Sequence, residues 1–449
     1  MSDLELSDAE RYPTLTVHGQ RMLDQLRQHP HAPIYRNHAG NRLTADDLAH
    51  LCAFEAEAEK AEIHGNPGAR PPWLAAFVAQ CYHDMPYFRM RGVMPRKFED
   101  VPTTTRADLA RDITLFVPDS VALERLINFH TSGTTGHPLV IPSHPLIAAS
   151  YIAFHQRALR RFGIEWRSTR ARTGVVLLGY QRQCFTYTSV IPSMDDAGYA
   201  KINLHPADWR HPDDRARYLD ALQPEILSGD PLSFAALLEL PANWRPRALV
   251  STSMTLSPAL RAQLETRFDC PVLDVYSMTE SGPIAVADIR SGGYALLQHR
   301  LLVEILDDAR APCTPGARGE ITLTGGFNSH LPLLRYRTGD YAALEFLNNE
   351  WLLTGFSGRP AVRFRVANGA WINSVEFTHA MRGLPLHQFR MHQHANGRIR
   401  FDYAAAASLD DELRTVLYHW LGKNQLFSIS QCNFTGSKIV QYSTDIRDA

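Results

Sequence analysis

From residue 173 to residue 277 the chain alternates short apolar runs, "TGVVLLGY", "PEILSG", "RALVSTS" and "CPVLDVYS", with helical stretches such as "DPLSFAALLEL" and "SPALRAQLETRF". Short aliphatic and β-branched runs bounded by turn residues read as buried strands, and the stretches between them as helices. A strand that returns parallel to its predecessor needs a crossover connection of this kind. The alternation therefore predicts an α/β fold with helices layered on a substantially parallel sheet.

On both sides the pattern changes. Residues 15–62 read as helical, with Thr44-Ala-Asp-Asp47 opening an apolar-periodic run that stops at Gly65. A second helix is expected from Pro72 to His83, and "VPTTTRADLARDI" predicts an extended lead-in to a short helix capped at Thr104 or Thr105. Between 294 and 356 helical signals vanish, and "HRLLVEILDD", "GARGEITLTG" and "YAALEFLNNEWLLTG" predict a β-rich subdomain. Beyond "GFSGR" the strands "AVRFRVANGAWI" and "GRIRFDYAAA" and the helix "LDDELRTVLYHWL" predict a small α+β domain. The expected division is a large N-terminal domain over 1–356, whose first 70 residues are a helical extension, and a small mobile C-terminal lid domain over 357–449.

The 449 residues exceed what one hydrophobic core supports, in agreement with more than one domain. A net charge of -1 gives no global field for nucleic acid or an acidic membrane surface, so neither is an expected partner. The six cysteines, at 52, 81, 184, 270, 313 and 432, form no CxxC pair, so they indicate neither a zinc site nor a disulfide framework. The polar N-terminal stretch has no apolar signal region, and no run reaches the roughly 18 residues of a membrane span; the expected compartment is the cytoplasm.

"FHTSGTTGH", residues 129–137, packs hydroxyls and glycines between two apolar runs. Glycines let backbone amides converge on an anion, and hydroxyls add donors without charge, so the composition suits a polyphosphate. It equally suits a turn with no ligand. A P-loop is excluded: Gly133 and Gly136 are too close together, and His137 stands where lysine would be expected. "ERLINF" before the loop and "PLVIPS" after it read as strands, with a helix opening only at Pro145, so the loop is the tip of a hairpin.

Four motifs occur in a fixed order: "TSGTTGHP" at 131–138, "VYSMTESG" at 275–282, "LLRYRTGD" at 333–340 and "GR" at 358–359. In this order the sequence resembles the adenylate-forming superfamily of acyl-CoA synthetases, peptide-synthetase adenylation domains and luciferases. "PYFRMRGVMPRKFEDVPTTTRADL" adds a likeness to the phenylacetate-CoA ligase branch. The resemblance runs from about residue 70 to the C-terminus.

It implies that Thr131, Ser132, Gly133, Thr134, Thr135 and Gly136 surround the β- and γ-phosphates of ATP. Tyr276, beside Ser277, would lie against the adenine, Thr279 would bond the α-phosphate, and Glu280 would hold Mg²⁺. Asp340 would accept hydrogen bonds from the ribose hydroxyls, and Arg359 would add a donor to the nucleotide. Lys438, in the polar loop Thr435-Gly-Ser-Lys438, would bridge the carboxylate and the α-phosphate as they meet. Lys438, Thr279 and Glu280 are thus the expected catalytic residues. A carboxylate is already nucleophilic at neutral pH, so such a reaction rests on charge compensation and positioning and requires no general base. The implied second step hands the acyl group to a thiol, with coenzyme A the leading acceptor and a carrier-protein phosphopantetheine or an amine the alternatives.

The sequence departs from the family pattern at His137, at Ser277 in place of glycine, at Met254 in place of an acidic residue, and after Arg359, where Pro360 replaces a charged hinge. Towards the C-terminus the likeness shifts to a capsular-polysaccharide-biosynthesis branch. These departures motivate a non-catalytic nucleotide- or partner-binding descendant as the competing class. "LLGYQRQCFTYTSVIPSM" corresponds to the acyl-pocket segment, and Tyr180, Phe185 and Tyr187 suit an aryl or arylacetic acid, or else are simple core aromatics. A medium acyl chain is the second candidate.

Overall fold

The computed structural model describes residues 6–130, 139–181, 184–241, 243–288, 290–357, 362–381, 383–434 and 440–446. It divides into two compact units. The first comprises residues up to 14, 41–166 and 275–360; the second comprises 15–40, 167–274 and 361–449.

The first unit is built on an antiparallel sheet ordered Leu301–Leu306, Gly319–Gly325, Leu333–Leu347, Glu350–Ser357, Gly293–Leu296, Gly282–Asp288, and then the 275–278 end of strand Val272–Met278. This is the β-rich region that the loss of helical periodicity predicts. Its core gathers Phe88, Leu109, Ile284, Leu302, Leu323, Leu334, Tyr336 and Leu353. Helix Ala45–Lys60 starts at Thr44, whose hydroxyl accepts from Asp47 N while the Asp47 carboxylate takes the Thr44 N–H, so two orphan amides of the first turn are satisfied reciprocally. Thr105 and Asp108 cap helix Arg106–Arg111 in the same way, which settles the choice between Thr104 and Thr105. Thr104–Thr105 joins the sheet as a short parallel strand beside Tyr336 and Arg337.

Strands Ile127–His130 and Val140–Ser143 pair as the predicted hairpin, and helix Pro145–Arg160 follows with proline in its first turn. The helix Leu74–Asp84 matches the one expected from Pro72 to His83.

In the second unit the parallel strands predicted from the alternation are present. Ala197–Asn203, Thr173–Gly179, Ile226–Gly229, Ala248–Ser251 and the 272–274 end of Val272–Met278 pair in parallel, with Tyr187–Ile191 added antiparallel at the edge. Helices Asp214–Leu222, Pro231–Leu238 and Pro258–Phe268 connect them. The helical reading over 15–62 resolves into two helices, Val17–Gln28 and Ala45–Lys60. Between them Pro30 and Pro33 deny the backbone the N–H groups and φ/ψ values that a continuous helix needs.

The C-terminal residues of this unit have a core of their own, centred on Phe364, Phe377, Met391, Phe401, Leu413 and Leu417. A four-stranded sheet ordered Phe427–Gln431, Ile399–Ala404, Gln388–Gln393, Tyr442–Thr444 packs with helices Ser374–Met381 and Asp410–Leu421. Among the described residues no helix is long and apolar enough to cross a membrane.

Candidate active site

Asp340 sits in a kink of the long strand Leu333–Leu347, where the register with Gly319–Gly325 shifts between Glu320 and Thr322. Gly339, at φ +78°, makes the kink; a side chain there would be strained. Four hydrogen bonds lock it. Thr338 Oγ1 donates to Ile321 O at 2.9 Å and accepts from Asp340 N at 3.0 Å. Gly339 N donates to Glu320 Oε1 at 3.0 Å, and Arg337 Nε donates to Glu320 Oε2 at 2.6 Å. Glu320 is thus a positioning residue for the Thr-Gly-Asp turn, and sequence reasoning missed it because it lies in an unrelated strand.

So held, the Asp340 carboxylate accepts a hydrogen bond from Tyr276 Oη at 2.9 Å. Burial and the neighbouring Asp340 charge push the Tyr276 phenol well above its ordinary pKa, so it remains a donor. The Tyr276 ring is only 8% exposed and packs on Phe356 with centroids 4.5 Å apart.

Thr279 and Glu280 occupy the turn that joins strands Val272–Met278 and Gly282–Asp288. Gly282 closes this turn at φ +72°, and a Cβ there would come within 2.6 Å of Tyr151 on helix Pro145–Arg160. Both facts require glycine at the end of "TESG". Glu280 is 4% exposed, accepts from Tyr336 Oη at 3.2 Å and lies 3.6 Å from Arg106 Nη1. Burial, with the Glu280 charge, raises the Tyr336 phenol well above its usual range, so this hydroxyl also stays protonated. Arg106 reaches Glu280 because the Thr104–Thr105 strand is stitched to the motif strand, with Thr104 Oγ1 donating to Leu334 O at 3.1 Å. Ser277 and Thr279 are half-buried on either side of Met278, and Ser277 pairs with Pro283.

The two carboxylates, Glu280 and Asp340, are each gripped by a phenol from a distant strand. A buried carboxylate oxygen is a hard donor of the kind Mg²⁺ takes, and Glu280 fits that role. Thr131, Ser132, Gly133, Thr134, Thr135, Gly136, His137, Arg359 and Lys438 lie outside the described residues.

In the second unit Phe185 and Tyr187 come together, rings 5.5 Å apart, and Tyr187 stacks against Tyr199 at 5.9 Å with Oη···Oη 3.3 Å. Phe185 is 52% exposed. Tyr199 was not visible as part of this group, because in sequence it reads as one more core residue of strand Ala197–Asn203. Tyr180 instead packs on His205, with ring centroids 5.9 Å apart. Met254 is half-buried in the loop after strand Ala248–Ser251.

The family model for AMP-binding enzymes matches residues 124–329. The phenylacetate-coenzyme A ligase of Escherichia coli (strain K12) is 25% identical over 290 residues, covering 60% of this chain and 64% of that protein. Protein CapK of Staphylococcus aureus is 22% identical over 255 residues, covering 55% of this chain and 54% of the relative. The chain thus aligns with less than two thirds of the length of either relative. Among solved structures, 2-hydroxyisobutyryl-CoA ligase in the postadenylation state, in complex with 2-HIB-AMP, superposes with a TM-score of 0.61 at 15% identity, over 82% of this chain and 87% of that one, which supports the same fold. With its motifs in order and its α/β fold, the chain is similar over residues 124–329 to the AMP-binding enzymes, and over 60% of its length to a phenylacetate-coenzyme A ligase.

Proposed function

We propose that this chain is an acid–thiol ligase that joins a carboxylic acid to the AMP portion of ATP, releases pyrophosphate, and passes the acyl group to coenzyme A. The observation that carries the reading is the pair of phenol-held carboxylates: Asp340 on Tyr276 and Glu280 on Tyr336, partners 64 and 56 residues apart in the chain. Mg²⁺ with ATP supplies neutralisation of the phosphate charge, and Glu280 is the residue that would hold it.

The chain's own groups then position the reactants. Asp340 accepts from the ribose hydroxyls, Thr279 donates to the α-phosphate, and Tyr276 holds Asp340 while its ring lies against the adenine. Residues 131–136 cradle the outer phosphates and Arg359 adds a donor. A carboxylate oxygen attacks the α-phosphorus as the bond to pyrophosphate breaks, with the Lys438 ammonium bridging the two anions. The thiol of coenzyme A then attacks the acyl carbon and AMP leaves.

In this reading residues 357–449 form the lid domain, supported by their separate core and sheet. The acid is aryl or arylacetic, supported by the Phe185–Tyr187–Tyr199 aromatic group and by the similarity to a phenylacetate-coenzyme A ligase.

Carboxylate-dependent ATP–pyrophosphate exchange over a panel of aryl and acyl acids tests the first half-reaction. An acid that supports exchange, with Lys438→Ala abolishing it, is the expected result. No exchange with any acid would overturn the ligase reading in favour of a nucleotide-binding descendant. Product masses after adding coenzyme A, a pantetheinylated carrier or an amine then identify the acceptor.

A further inference from the structure

The small four-stranded sheet carries a group of ligating side chains that adenylation does not use. His392 lies in strand Gln388–Gln393, and His394 follows two residues on, so the two project to the same face. Strand Tyr442–Thr444 runs parallel beside them, with Ser443 opposite His392. Asp445 follows at once, anchored by its N–H to Gln393 O at 2.8 Å. Asp445 Oδ2 lies 3.3 Å from His392 Nε2 and 4.0 Å from His394 Nδ1. One ligating atom from each of the three residues falls within 4.8 Å of the others. The two imidazole rings meet edge to face, centroids 4.6 Å apart.

A second contact orients the nearer ring. His392 Nδ1 is 2.8 Å from Ser443 Oγ. With the Nδ1 proton donated to that hydroxyl, the Nε2 lone pair is left facing Asp445, which is how metal-ligating histidines are usually fixed in tautomer and direction. In a tetrahedral zinc site, bonds of about 2.0–2.1 Å place ligand atoms roughly 3.3 Å apart. His392 and Asp445 already stand at 3.3 Å, while the His394 side chain, 45% exposed, has room to close its 4.0 Å. The cation paired with His392 across the ladder is turned aside: Arg400 Nε donates to Asp402 at 2.9 Å.

We propose that His392, His394 and Asp445 bind a divalent transition-metal ion of the zinc class, with water completing the coordination. Two imidazoles and one carboxylate suit zinc, cobalt, nickel or copper, whereas Mg²⁺ and Ca²⁺ prefer oxygen donors throughout, so the site is chemically distinct from the one at Glu280. Strand Tyr442–Thr444 pairs with its neighbour over only three residues, and the ion clips its end to strand Gln388–Gln393. An ion held by the folded arrangement alone raises stability by mass action.

The test uses the full-length chain, stripped of metal with a chelator and titrated with Zn²⁺ by calorimetry and with Co²⁺ by visible absorption. One equivalent is expected to bind, to generate cobalt ligand-field bands, and to raise the melting temperature in a chelator-reversible way. His394→Ala and Asp445→Asn should each weaken Zn²⁺ binding at least tenfold, and Ser443→Ala by about tenfold through loss of the orienting hydrogen bond. The metal-free melting temperatures of these surface variants should match that of the parent, which separates lost ligands from lost folding. Absence of stoichiometric binding overturns the proposal, as does a His392→Ala/His394→Ala double variant that keeps the parent's Zn²⁺ affinity and cobalt spectrum.

Discussion

Tyr276 and Asp340, 64 residues apart in the chain, are joined by a 2.9 Å hydrogen bond from phenol to carboxylate. The bond ties the end of one motif strand to the kink of another and fixes the direction of Asp340. Tyr276→Phe keeps the ring and removes only the donor. Expected are a loss of about 1 kcal/mol in urea unfolding, typical for one hydrogen bond, and a several-fold weaker affinity for ATP by calorimetry. Unchanged affinity would mean that Asp340 does not need this partner.

Glu320 takes Gly339 N and Arg337 Nε on its two oxygens, at 3.0 and 2.6 Å. Glu320→Ala should free the Thr-Gly-Asp turn and weaken ATP binding more than Tyr276→Phe does. Glu320→Gln keeps one acceptor oxygen and should fall between that variant and the parent. A calorimetric series over the three variants checks the order.

Arg335 shows how a motif residue can serve the fold instead of the site. Its side chain is 3% exposed, with Nε 3.4 Å from Glu304 Oε2, and Nη1 donates to Glu99 O and Val101 O at 2.6 and 2.8 Å. Burial raises the Glu304 pKa even though Arg335 pulls against it. Removing one partner leaves a buried, uncompensated charge, so Arg335→Met should cost about 3–5 kcal/mol in denaturant unfolding. The double variant Arg335→Met/Glu304→Met should recover at least half of that loss, because both charges leave together.

His155, half-buried in helix Pro145–Arg160, with its Nδ1 shielded from solvent and without a hydrogen-bond partner among the described residues, has its pKa lowered by burial to about 4. Its folded pKa lies below its unfolded value near 6.5, so its contribution is intact above about pH 6.5 and is lost as the pH falls towards 4. Over that window the parent should lose on the order of 3 kcal/mol more than His155→Phe does. Melting temperatures of both proteins between pH 7 and pH 4 check this; parallel curves would show that the imidazole is already protonated or exposed.

Much of this molecule is written in short-range chemistry. Capping at Thr44 and Thr105, proline opening the helix at Pro145, and the aliphatic strands of 173–277 each need only neighbours within a turn or a strand, so they are legible as patterns. The hairpin that flanks residues 131–138 was legible for the same reason. The helical pattern over 15–62 overreached where two prolines interrupt it, because periodicity counts apolar faces and not missing backbone donors.

The sequence by itself determined most of the helical and strand segments and that the motifs stand in adenylate-forming order. Only the tertiary structure decided what those motif residues touch. Strand pairing set Thr104 beside Tyr336, which carries Arg106 to Glu280, and the register shift near Glu320 turned Asp340 towards Tyr276. The same logic brought Asp445 to two histidines some fifty residues earlier in the chain. Contacts of this kind depend on strand order and register, which follow from burying one face of a whole sheet and leave no mark in any local run of residues.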